Sequence, residues 1–137
     1  VANLDAPASR VNVSSSQGPT RDGRCKPDVA APGTGIVAAR GFGYKDDGPP
    51  WVAMTGTSMA SPYVAGVAGL MLAAQPRLTA AQICGIIQRT SQPLPGASYE
   101  WLNDAGYGCI VPSECLDEAR CVNQRQDVTK AAPAKNP

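Results

Sequence analysis

Thr55-Gly56-Thr57-Ser58-Met59-Ala60-Ser61-Pro62 is a short polar turn that runs directly into an apolar segment ending at Ala74 and built largely of Ala, Gly, Val, Leu and Met. That composition predicts a helix buried on all sides, beginning near Thr57 or Ser58. Pro62 falls in its first turn, where a missing N–H costs little, and Pro76 ends it. A serine hydroxyl in such a first turn lies near unpaired backbone N–H groups and the positive end of the helix dipole. Both favour the negative charge that develops on oxygen when a carbonyl is attacked. The chemistry implied is acyl transfer with Ser58 as nucleophile; the plain alternative is a helix N-cap, the commonest role of Ser and Thr at this position.

A neutral hydroxyl needs a base within hydrogen-bond reach, usually a His held by a carboxylate, and the chain contains no histidine. A Ser–Lys arrangement is disfavoured, because Lys26 and Lys45 lie in segments that read as loop or strand edge, with nothing to depress an amine pKa. The GxSxG elbow is excluded as well, since Ala60 rather than Gly stands two residues after Ser58.

The elements that position Ser58 follow from the flanking pattern. Trp51-Val52-Ala53-Met54 reads as an apolar strand delivering the chain to the turn, so strand, turn and helix come in immediate succession. Upstream, Val1 to Ala6 reads as a strand, Arg10 to Ser14 as a half-buried strand, Pro27 to Ala31 as a short buried strand closed by Pro32-Gly33, and Ile36 to Ala39 as another. Gly41 to Pro50 reads as an exposed loop, in which Asp46 and Asp47 are too few oxygens for a hard-cation site. Gly66 and Gly69 predict close backbone approach of the buried helix to a sheet. Thr79 to Gln82 has capping-box spacing with Leu78 and Ile83 as a staple, and opens an amphipathic helix bearing Ile83, Ile86 and Ile87. Tyr107 to Val111 reads as a last strand and Glu114 to Val122 as a last helix; beyond Asn123 the composition predicts a mobile tail or linker. The division is therefore 1–122 as one domain portion and 123–137 as tail.

Composition narrows the classes. A net charge of +1 with both signs interspersed gives no reason for nucleic acid or an anionic membrane as partner. The run from Met59 to Ala74 is interrupted by Ser61 and Pro62 and is shorter than the ~18 residues of a membrane span, so it reads as core. These residues hold no signal-peptide pattern. The five cysteines, Cys25, Cys84, Cys109, Cys115 and Cys121, lack a CxxC pair and have no His to complete a zinc site, which predicts no metal. A disulfide within the Cys109 to Cys121 region is the more plausible use, at least one thiol being left over. Asn12-Val13-Ser14 fits the glycosylation acceptor pattern, though a strand is a poor place for it.

Gly56-Thr57-Ser58-Met59-Ala60-Ser61-Pro62 with Val64-Ala65-Gly66 resembles the nucleophile segment of the subtilisin-like serine proteases, and Lys26-Pro27-Asp28-Val29-Ala30-Ala31-Pro32-Gly33 resembles the strand and turn before it. The resemblance runs from about Val1 to Gly108; Tyr63 departs from it at a position that usually holds a non-catalytic His. It implies an α/β fold, the C-terminal portion of a subtilisin-like parallel-sheet sandwich with a buried central helix starting at the nucleophile. It implies a serine endopeptidase acting on protein or peptide substrates through an acyl-enzyme on Ser58, with the Ser58 N–H as an oxyanion donor and Thr57 in support. The triad's Asp and His, and the Asn that completes the oxyanion hole, are then expected in an N-terminal portion of the same domain, upstream of Val1, so that this chain alone is inactive. Any calcium is expected elsewhere in the full domain, and the family favours secretion. The competing expectation, from another class, is a non-catalytic subtilase-like module that uses the same turn for binding or assembly.

Overall fold

The computed structural model describes residues 1–5, 10–41 and 48–131. Its elements run β1 (Ala2–Leu4), β2 (Ala30–Pro32), β3 (Ile36–Ala39), β4 (Trp51–Met54), α1 (Thr57–Ala74), α2 (Ala80–Thr90) and α3 (Pro112–Ala131). The mixture is α/β. β1 and β2 pair in parallel with Ala2 opposite Ala30 and Leu4 opposite Pro32. The expected strand over 107–111 contracts to a bridge: Ala30 pairs in parallel with Cys109, through Ala30 N to Gly108 O at 2.8 Å and Ile110 N to Ala30 O at 2.9 Å. Gly106 explains the contraction. It sits at φ 65°, and a Cβ there would stand 2.3 Å from the Asp28 carbonyl oxygen, so the chain turns against β2 instead of running beside it.

The expected strand from Arg10 to Ser14 is likewise a single antiparallel bridge, Val11 to Leu4. The side chain of Asn12 intervenes, its Oδ1 accepting from Ser14 N at 2.9 Å and from Ser14 Oγ at 2.6 Å, so the backbone turns and Val13 is left wholly exposed. β3 and β4 have the bounds read from sequence, but they form a separate antiparallel ribbon, Ile36 opposite Met54 and Ala39 opposite Trp51.

The core joins Val29 and Ala31 of the β2 segment, Ala60, Val67 and Met71 of α1, Leu78, Ile86 and Ile87, Ile110, and Cys115 and Ala119 of α3. α1 is therefore covered along one stripe rather than on all sides. Leu70 is 55% exposed, and Tyr63 and Leu72 are also open. Gly66 and Gly69 are on the open side, where an added Cβ would meet nothing within 4 Å, so the expected close approach to a sheet is absent among the described residues. With 18 residues and a mean hydropathy of 1.3, α1 is long and apolar enough to cross a membrane by length and composition alone; its packing against β1, β2 and α3 makes it the spine of the core.

α2 carries the predicted capping box, Gln82 N to Thr79 Oγ1 at 3.2 Å and Thr79 N to Gln82 Oε1 at 2.8 Å. α3 starts at Pro112 and continues past Asn123 to Ala131, farther than the expected end at Val122; residues 132–137 lie outside the described residues. It is tied to α2 by Arg89 to Glu118 at 3.0 Å and by Thr90 Oγ1 to Cys115 Sγ at 3.2 Å.

These contacts rank by burial. Met71→Ala, at a fully buried position, is expected to cost about 2–5 kcal/mol, and Thr79→Ala about 1 kcal/mol, both read from denaturant unfolding midpoints.

Candidate active site

β4 ends at Met54 and α1 begins at Thr57, so the turn between them is only Thr55-Gly56. Two bonds fasten it to the turn that follows β2: Gly56 N donates to Gly33 O at 2.9 Å, and Gly35 N donates to Thr55 Oγ1 at 2.9 Å. The approach is close enough that only glycine fits at 33. A Cβ there would lie 2.5 Å from Asn3 Oδ1, 2.7 Å from Gly56 O and 3.0 Å from Ala60 Cβ.

Gly56 is the N-cap residue of α1, and no side chain caps the helix. The plain reading of Ser58 as an N-cap is thus replaced by a different placement, the second residue of the first turn. The Gly56 carbonyl accepts from Met59 N at 3.0 Å and Ala60 N at 3.3 Å, leaving the N–H groups of Thr57 and Ser58 without a protein acceptor among the described residues. Ser58 is exposed and its hydroxyl has no partner among them. It opens on a depression lined by Val1, Thr57, Ser58, Ser61, Pro62 and Ala65. Val1 and Thr57 also line the adjoining depression, whose far side is Gly18, Pro19, Lys26 and Pro27.

Beneath the turn lies a polar bed that reading the sequence missed. Asn3 is fully buried, its N–H donating to Ser15 Oγ at 3.1 Å and its Oδ1 lying 3.3 Å from Thr34 Oγ1. Thr34 Oγ1 is 3.2 Å from Asp5 Oδ1, which also accepts from Asn12 Nδ2 at 2.6 Å, while Arg10 Nε meets Asp5 Oδ2 at 2.7 Å. Bonding from Asn12 first, and from Arg10 next, holds the Asp5 carboxyl below the usual carboxylate range. The signal in the sequence was an Asn in the middle of the otherwise apolar Val1-Ala2-Asn3-Leu4.

The remaining candidates sort clearly. Lys26 is engaged by Asp28 at 2.7 and 2.8 Å and is not among the residues lining the Ser58 depression. Lys45, Asp46 and Asp47 lie outside the described residues. Asn12 of the glycosylation pattern is in a turn rather than a strand, with its Nδ2 already donating to Asp5. All five cysteines are free thiols, so the disulfide expected within the Cys109 to Cys121 region is not formed. Burial pushes the Cys109 and Cys115 thiols up, which makes them poor nucleophiles. No metal-binding cluster occurs among the described residues.

Parallel pairing, a strand–turn–helix with a hydroxyl in the first helical turn, and two helices docked behind it define an α/β protein with the fold of solved proteases. The CspB protease of Clostridium perfringens superposes with a TM-score of 0.67 at 23% identity over 86% of this chain and 26% of its own. A protease from Pseudoalteromonas arctica gives 0.57 at 29% identity over 67% and 29%. The chain belongs to the subtilase family, whose sequence model matches residues 1–108. It is 44% identical over 73 residues to the serine protease AprX of Bacillus subtilis, covering 47% of this chain, and 34% identical over 139 to the subtilisin-like protease SBT3 of Solanum lycopersicum, covering 81%. It spans 16% and 17% of those relatives' own lengths.

Two outcomes follow from this geometry. Gly33→Ala forces the Gly56 carbonyl and Asn3 apart, and is expected to lower thermal stability and to displace the Ser58 turn, seen as shifted amide resonances of residues 55–60. Asp5 has a folded pKa below its ordinary 3.8, so its ionised form stabilises the fold above that value and the contribution is lost as pH falls through the folded pKa. The thermal midpoint should therefore drop on acidification below about pH 4, and Asp5→Asn should remove that part of the slope, as followed by circular dichroism.

Proposed function

We propose that this chain is the C-terminal part of a subtilisin-like serine endopeptidase domain, with Ser58 as its nucleophile. The observation that carries the proposal is the state of the first turn of α1: an exposed hydroxyl beside two N–H groups, all without a partner among the described residues, on a turn fixed from below by Gly33. Ser58 Oγ attacks the scissile carbonyl of a protein or peptide, and its proton passes to a base. The base then returns that proton to the departing amine, and water hydrolyses the resulting ester on Ser58. The Ser58 N–H donates to the carbonyl oxygen as it becomes an oxyanion, and Thr57 supports the same turn.

With no histidine among 137 residues, the base, its orienting Asp and the second oxyanion donor, an Asn, come from an N-terminal portion of the domain. The open side of α1 is where that portion packs. Gly66 and Gly69 have room there for close backbone approach, and Tyr63, Leu70 and Leu72 offer apolar area. α1 then becomes the buried central helix of a parallel-sheet sandwich, and calcium, if bound, belongs to the other portion. Residues 1–122 form the domain portion and 123–137 a tail or linker. Named relatives such as the extracellular protease of Xanthomonas campestris support secretion.

A fluorophosphonate probe is expected to label Ser58 in the full-length protein and to fail with Ser58→Ala, while the 137-residue chain alone stays unlabelled and associates through the open face of α1. Absence of labelling in the full-length protein defeats the proposal in favour of a non-catalytic binding or assembly module.

A further inference from the structure

The bed under the nucleophile turn contains a conflict of donors. Asn3 Nδ2 is buried with no partner among the described residues, a destabilising state for a donor shut away from water. Nearby, the Thr34 hydroxyl faces two acceptors, Asn3 Oδ1 at 3.3 Å and Asp5 Oδ1 at 3.2 Å, with one proton to give. Asn3 Oδ1 and the Gly56 carbonyl oxygen both close on Gly33, lying 2.5 and 2.7 Å from the point where a Cβ on Gly33 would stand. The two ends of a carboxamide have the same shape, and only their partners decide which is nitrogen. Exchanging them resolves these conflicts together. The Asn3 nitrogen then donates to Thr34 Oγ1, which also accepts from Asn12 Nδ2 at 3.3 Å, and the Thr34 proton goes to the carboxylate of Asp5. The buried orphan becomes an oxygen, which tolerates the lack of a partner better.

We infer that Asn3 is a positioning residue for Ser58: its carboxamide, oriented by the relay Asn3–Thr34–Asp5, fixes the height of the Gly33–Gly56 contact on which the nucleophile turn rests. This builds on Ser58 being the nucleophile. Asn3 itself touches no reacting atom and acts through Gly56. The group is fully buried in β1, two residues from Asp5, so its orientation is set by the fold and not by substrate.

The test measures the second-order rate of fluorophosphonate labelling at Ser58 in the full-length protein, with the folded state followed by thermal melting. Asn3→Leu removes the buried amide at similar volume and Thr34→Val breaks the relay. Each is expected to slow labelling by about tenfold or more, in keeping with the cost of small misplacements of reacting groups, without a matching loss of melting temperature. Thr34→Ser, which keeps the hydroxyl, recovers most of the rate. A merely structural Asn3 predicts the opposite for Asn3→Leu, since deleting an unsatisfied buried amide leaves the fold as stable or more so and the rate unchanged. Labelling of Asn3→Leu and Thr34→Val within about twofold of the unsubstituted protein overturns the inference while leaving Ser58 in place, as does Thr34→Ser slowed as much as Thr34→Val. If Asn3→Leu fails to fold, the Thr34 pair decides. An unsubstituted protein that is not labelled overturns the nucleophile and the inference together.

Discussion

The contact between Gly33 and Gly56 is the constraint on which the rest of the structure depends. A backbone bond of 2.9 Å joins the turn after β2 to the turn before α1, and the absence of a side chain at residue 33 lets the two approach until Asn3, Gly56 and Ala60 all lie within 3.0 Å of where a Cβ would be. Backbone on backbone leaves no rotamer to adjust. The start of α1 is therefore located by the parallel pairing of β1 with β2 and by the chain that continues from β2, not by the ribbon β3–β4, which hangs outside the core.

From that fixed start α1 reaches across the molecule, and its burial is uneven. Ala60, Val67 and Met71 recur at helical spacing in the core shared with β2, α2 and α3, while Tyr63, Gly66 and Leu70 recur at the same spacing on a side that nothing among the described residues covers. An apolar helix covered along one stripe keeps a second apolar stripe open.

Much of this was legible in the residues, and the reasons for the failures are physical. The strands β3 and β4, the helix α1 and the capping box of α2 follow from apolar runs, turn residues and a cap whose signals are local. Arg10 to Ser14 misled because alternation was weighed without the tendency of Asn12 to bond its own backbone two residues on. Tyr107 to Val111 misled because the positive φ of Gly106, just before it, and of Gly108, within it, bends the segment against Asp28 and Gln92. Ser58 was singled out from its neighbours, but the bed of Asn3, Asp5, Asn12 and Thr34 assembles residues up to 31 positions apart, and only the single misplaced polarity of Asn3 announced it.

The uncapped start of α1 shows what such a turn requires. A Ser, Asp or Asn cap ordinarily stabilises a helix by about 1 kcal/mol over an uncapped end, but at position 56 the backbone sits at φ 157°, where an L side chain is strained. A capping side chain would also compete with any ligand oxygen for the same donors. Gly56 forgoes that stabilisation and keeps the N–H groups of Thr57 and Ser58 unpaired. What holds the helix start instead is support from below: the Gly33 carbonyl, the Thr55 hydroxyl and the polar bed in β1. Rigidity supplied from the side away from solvent, with the donors left free on the other, is the arrangement that lets a helix terminus act on an approaching carbonyl without reorganising to meet it.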